Sequence, residues 1–319
     1  MRVIFPALSF FLSKPACFLL SVALLDLTAG CVVEKVGEAE LRTTAKAQTD
    51  ETETKPLSSP GSYLAGLHAE RHGEVGPAGD FLLHALAVDP KNLVLLNRAF
   101  LLMLEEGRLD EAKLLAERTL KASPEATLPI LTLAVWDVIE GNQHLAELKL
   151  RSIPDKGFNK FLKPLLLSWV LSAQGLDLEV ESTLAPLSES SSSAALRDLH
   201  LALIQDVSGD KDKAMESYEN VLSNGAPSSF RLVEILGNFY KRAGYSEKAQ
   251  EIYESYLENA SNVYMVDQAL ARLKNDTMPE AVVASVRDGM AEALFNISSA
   301  LRQEGAEKMA LIYSRLAGF

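Results

Sequence analysis

The segment Val233-Glu234-Ile235-Leu236-Gly237-Asn238-Phe239-Tyr240, followed by Gly244-Tyr245, Ala249 and Tyr253, decides the fold. Its apolar residues recur at intervals of three and four, the spacing of one helical face, and the spacing restarts after Gly244. A glycine there ends a first helix in a left-handed turn at little steric cost, and Ala249 lets a second helix lie close against it. The segment reads as a helical hairpin, and it is repeated. Gly73, Gly107, Gly141, Gly175 and Gly209 stand 34 residues apart, a run with odds of about 10⁻⁵ per starting glycine at this chain's glycine frequency. Five residues after each comes Ala78, Ala112, Ala146, Val180 or Ala214, and Pro90 and Pro124 stop the second helix of the first two units. The phase continues after one inserted residue at Gly244 and Ala249, and returns at Gly305 and Ala310. Seven hairpins follow, and with them an all-α chain, an α-solenoid of stacked helix-turn-helix units.

The sixth hairpin, quoted above, resembles the tetratricopeptide repeat at most of its defining positions. The first adds Gly66, Gly73, Ala78, Ala85 and Pro90, and the second Gly107, Ala112 and Pro124. The third to fifth depart from the pattern, with Asp137, Leu171 and Gln205 at the aromatic position and Ala134, Ser168 and Ala202 at the glycine position. The resemblance covers residues 59–317. It implies a superhelix whose first helices line a concave groove that binds an extended peptide or helix of a partner protein. Carried over position by position, the groove residues are Tyr63, Asn97, Leu101, Trp169, Arg231, Glu234, Asn238 and Lys241. The plainer alternative puts Tyr63, Leu101 and Trp169 in the core and leaves the polar five solvated. The asparagine and lysine pattern with which some members clamp a terminal carboxylate is not repeated in adjacent hairpins.

Before the array, residues 1–30 carry Arg2, Lys14 and an apolar run from Phe18 to Leu25, the pattern of a secretory signal. The run ends in Leu27-Thr28-Ala29-Gly30-Cys31, which resembles a bacterial lipobox and implies lipid attachment at Cys31 and an exported, periplasmic protein. Thr28 stands where that pattern has a large aliphatic residue, and Asp26 interrupts the apolar run, so a plain secretory signal and an uncleaved anchor are the alternatives. The only other cysteine, Cys17, lies inside the signal, which argues against intrachain disulfides and a buried catalytic thiol. Residues 31–58 are rich in Thr, Glu, Lys and Ala and read as a flexible tether with a reach of about 30 Å.

The net charge of −12 and the lack of any basic cluster argue against nucleic acid. The five histidines are scattered, and only His68 and His72 share a helical face; without further ligands, and without a glutamate directly after His68, the pair reads as polar surface rather than a metal site. Neither a phosphate loop nor a nucleophile elbow occurs. The chain reads as a cofactor-free, non-enzymatic protein-binding scaffold of the bacterial envelope, with a periplasmic hydrolase on a helical scaffold as the alternative.

Two regions break the rhythm. Residues 261–289 exceed one repeat and read as one or two inserted helices or a decayed hairpin. Residues 290–319 read as a seventh, incomplete hairpin with the apolar helix Leu311-Ile312-Tyr313-Ser314-Arg315-Leu316 at its end. A solenoid needs a polar cap, so this end is expected to leave an apolar face open for self-association or a partner, or to mark a shortened chain.

Overall fold

A computed structural model describes residues 58–318 except 224–228 and 259–262. The signal, Cys31 and the tether up to residue 57 lie outside the described residues. The described residues fall in one unit. Fifteen α-helices and no strand are found among the described residues. Six hairpins come first: α1 (Ser59–Arg71) with α2 (Val75–Val88), α3 (Leu93–Glu106) with α4 (Leu109–Ala122), and α5 (Thr127–Ile139) with α6 (Gln143–Ser152). Then come α7 (Asn159–Ala173) with α8 (Asp177–Leu184), α9 (Ser191–Val207) with α10 (Lys211–Ser223), and α11 (Phe230–Arg242) with α12 (Ser246–Leu257). A single helix, α13 (Val263–Lys274), is followed by non-helical residues 275–285 and the last hairpin, α14 (Val286–Gln303) with α15 (Glu307–Ala317).

The periodic glycines make the turns. Gly73, Gly107, Gly141, Gly175, Gly209, Gly244 and Gly305 all have φ between 71° and 93°, a region L side chains enter only at a cost. The residue after each glycine donates back to a carbonyl five residues earlier, as Arg108 does to Met103 at 2.8 Å and Ala306 to Leu301 at 2.9 Å, closing the helix end without unpaired carbonyls. Ala78, Ala112, Ala146, Ala214 and Ala249 are wholly enclosed where the second helix of each pair crosses the first. The run Ser188-Glu189-Ser190-Ser191-Ser192-Ser193 has no apolar member and by composition would be an exposed turn; within it Ser190 and Ser193 build a reciprocal cap that starts α9.

In the sixth hairpin the helices meet at Gly237, where an added Cβ would lie 2.3 Å from Cζ of Tyr253. Gly237→Ala is therefore expected to cost about 2 kcal/mol despite alanine's better helix propensity, read as a lower urea midpoint at unchanged m-value.

Between residues 263 and 285 there is one helix, α13, and residues 286–289 begin α14. α13 packs on α12 in a small cluster with Val233, Tyr253, Val266 and Ala269, and residues 275–285 then run on as a non-helical strap.

The last hairpin overturns the expectation of an open apolar end. Instead of stacking on as another repeat, α14 packs on α5, α7 and α9, and α15 packs on α3. Met290, Ala293, Leu294, Ile297 and Leu301 of α14 are buried, as are Ala310, Ile312, Tyr313 and Leu316 of α15. The physical reason is the composition of the first helices. Leu95 to Leu104 of α3, Pro129 to Val138 of α5 and Leu162 to Leu171 of α7 bury residues around most of the helix circumference, and a helix apolar on all sides needs cover on all sides. Their partner helices cover one side, and the returning hairpin covers the other.

Candidate functional site: the concave face

The concave face is built by the first helix of each pair, and the chain's own last hairpin lies in it. Its reach extends to both ends of the array. Near one end, Lys308 of α15 sits 2.8 Å from Glu105 of α3 and 3.5 Å from Glu70 of α1, while Arg315 Nε donates to the Glu105 carbonyl at 3.3 Å. Near the other, Arg231 of α11 holds Glu292 of α14 through Nε at 3.1 Å and Nη2 at 2.8 Å, and Glu234 through Nη1 at 3.1 Å.

At the centre is Trp169, with a relative exposure of 0%. Its indole lies flat against α14 at Gly289, where an added Cβ would fall 2.2 Å from Cε2. Its Nε1–H donates to Nδ1 of His200 at 3.0 Å, with the rings edge-on at 87°. That bond makes Nδ1 the acceptor and places the imidazole hydrogen on Nε2. Burial pushes the His200 pKa down from 6.5 to about 3, because a cation in this apolar interior would have no water to solvate it.

The residues singled out from the sequence fall into four settings. Trp169 is interior and presents no surface. Tyr63 and Leu101 are half-buried against the core, and Asn97 is exposed on α3. Arg231, Glu234, Asn238 and Lys241 do come together, because their spacing puts them on one face of α11. They line a cleft of about 490 Å³ with Gly237, Tyr253, Arg272 and residues 277–280 of the strap.

Polar contacts hold the strap as one wall of this cleft. Asn238 Nδ2 donates to the Glu280 carbonyl at 2.6 Å, and its Oδ1 accepts from Arg242 Nε at 2.7 Å. Arg242 is itself paired with Asp206. Lys241, only 5% exposed, bonds Asp276 and the Ser246 hydroxyl. The Lys241 hydrogen bond lowers the Asp276 pKa. Asp276 takes φ 52°, the only non-glycine residue at positive φ among the described residues. A second hollow of about 480 Å³, lined by Arg231, Val282, Glu292, Phe295 and Ser314, lies between the strap and the last hairpin.

No group of three or more His, Cys, Asp or Glu side chains that could hold a metal ion is found among the described residues. The rings of His68 and His72 lie tilted at 42° with centroids 4.3 Å apart, and His72 Nδ1 bonds the His68 carbonyl at 2.8 Å.

No protein-family model matches the chain, and no curated protein matches it. Among solved structures, a tetratricopeptide repeat protein from Parabacteroides merdae superposes with a TM-score of 0.54 over 82% of this chain and 99% of its own, at 13% identity. The fold is a tetratricopeptide-type α-solenoid. Two other similar structures are MamA, with a TM-score of 0.32, 18% identity, and coverage of 63% of this chain and 90% of its own, and a Naa15/Naa10 complex bound to HypK-THB, with 0.40, 16%, 81% and 44%.

Sequence reading missed Gly289, Glu292, Asp276 and the Glu280 carbonyl, the groups that meet the α7 and α11 positions it did find. The signal was in the first helices: α5 and α7 carry apolar residues on the side that a solvated groove would leave polar.

Proposed function

We propose that this chain is a protein-interaction scaffold of the bacterial envelope, exported by residues 1–30 and held at a membrane by lipid on Cys31. The supporting observation is that the concave face accommodates a two-helix protein segment along its length, with apolar contacts at Trp169 and charge pairing at Arg231. A surface that fits α14–α15 has the shape and chemistry for helical protein ligands. The open part of that surface is the cleft along α11, where Arg272 is exposed beside Asn238 and Tyr253. The partner segment on this reading docks there against the strap.

The test is site-specific photo-crosslinking in cells. A crosslinker replacing Arg272 is expected to trap one envelope protein reproducibly, whereas one replacing Leu178, 86% exposed on α8, is not. The wild-type chain is expected in the membrane fraction, with Cys31→Ser released to the soluble fraction. Indistinguishable crosslinking from the two positions would refute the cleft, and a Cys31→Ser chain still in the membrane fraction would refute the lipid anchor.

A further inference from the structure

The last hairpin reaches its place through a strap rather than by stacking on its sequence neighbour, and that arrangement admits an exchange. Residues 275–285 hold no helix; fully extended, eleven residues span roughly 36 Å, more than the roughly 27 Å length of the 18-residue α14. Of the polar contacts, the Arg231–Glu292 pair, with its carboxylate buried, is the stronger tie; those near the start of the array are the half-exposed pairs of Lys308 with Glu70 and Glu105, worth little each where water reaches them. The buried apolar faces are the opposite. If α14–α15 left the groove, Met290, Leu294, Ile297 and Leu301 would meet water, and so would the face of Trp169 now covered by Gly289. An empty groove is therefore short-lived, and only an occupant with the same face restores everything lost: a glycine against Trp169 and a carboxylate against Arg231. A second copy of this chain carries that hairpin and has its own groove to be filled in return.

We propose that the concave face is a binding surface for the α14–α15 hairpin of a second copy, so that the closed monomer exchanges with a reciprocal dimer in which each hairpin fills the other copy's groove, with the strap as hinge. This rests on the reading of the concave face as a protein-binding surface, and because it is tested with purified protein alone, its failure is separable from a failed capture in the envelope.

The Arg231–Glu292 pair gives the test. In full-length Arg231→Glu, a glutamate in the groove faces Glu292; in full-length Glu292→Arg, an arginine in the hairpin faces Arg231. Each chain alone, closed or self-paired, sets like charges together. Mixed one to one, a reciprocal dimer sets opposite charges together in both grooves. Native mass spectrometry of the detergent-purified mixture is expected to show the mixed dimer as the main species, with at least tenfold less dimer in either variant alone. The Arg231→Glu/Glu292→Arg double variant is expected to return to the wild-type distribution. Absence of mixed dimer while the double variant behaves as wild type would overturn the proposal. Should the single variants not fold, two differently tagged wild-type chains warmed near their transition and cooled are expected to give mixed dimers, and persistently separate species would overturn it equally.

Discussion

Gly289→Leu is expected to displace the last hairpin and lower stability by about 3 kcal/mol or more. At an exposed helix position, replacing glycine by alanine gains up to about 1 kcal/mol in helix propensity. At Gly289 the added Cβ alone would sit 2.2 Å from the Trp169 indole, far inside van der Waals contact, so the fully buried ring or α14 itself must shift. Overpacking of this kind costs about 1–3 kcal/mol and occasionally more, so even Gly289→Ala is expected to be a net loss. Trp169→Ala fails in the opposite way, leaving a cavity worth about 3–5 kcal/mol. Because the two residues occupy one site, the Gly289→Leu/Trp169→Ala chain is expected to be clearly more stable than the sum of its parts predicts. Urea unfolding of the four proteins measures this, and additivity within 0.5 kcal/mol, roughly the scatter of independent sites, would show that they do not share a contact.

The second large effect is acid sensitivity centred on His200. Its pKa is about 3 in the folded chain against 6.5 when unconstrained, through burial. Between those values the unfolded chain takes up a proton that the folded chain refuses, so acid favours unfolding and stability falls as pH drops below about 6.5. Well inside that window each pH unit costs about 1.4 kcal/mol, and the loss from pH 6.5 to 4.5 is about 2 kcal/mol, because at pH 6.5 the unfolded histidine is only half protonated. His200→Gln keeps a carbonyl acceptor for the Trp169 Nε1–H and cannot titrate. Its unfolding free energy is expected to decline with acid less steeply than that of the wild type by that slope. Glu111 and Glu147, whose pKa values are lowered by hydrogen bonds from Arg108 and Gln174 respectively, also lose stability in acid, but equally in both proteins. Parallel pH profiles would mean that His200 is already solvated.

The part of this structure legible in the sequence is the part governed by neighbours along the chain. A 34-residue glycine spacing fixes turns because only glycine takes positive φ cheaply, and an alanine five residues on fixes how close two helices come. The convergence of Arg231, Glu234, Asn238 and Lys241 was legible for the same reason, since their spacing defines a helix face. Trp169 resisted reading because groove and interior are the same place here: it lies on the concave side and is enclosed only because α14 lies across it. Periodicity carries no information about where residue 292 lies relative to residue 231. The apolar circumference of α5 and α7 pointed to a missing cover, but not to which segment supplied it.

Solenoids ordinarily assemble by neighbour-to-neighbour contacts, so folding nucleates anywhere and spreads, and stability is close to a sum over units. The contact between Lys308 and Glu70 spans 238 residues, and it makes this array depart from that rule. The inner surface of the earliest helices stays wet until the final helix of the chain has been made and brought back, which raises the loop-closure cost and slows the last stage of folding. Once closed, the middle hairpins cannot come apart one at a time, because the same two helices brace α3, α5, α7 and α9 together. A chain assembled from repeats thereby acquires the all-or-none cooperativity of a globular domain.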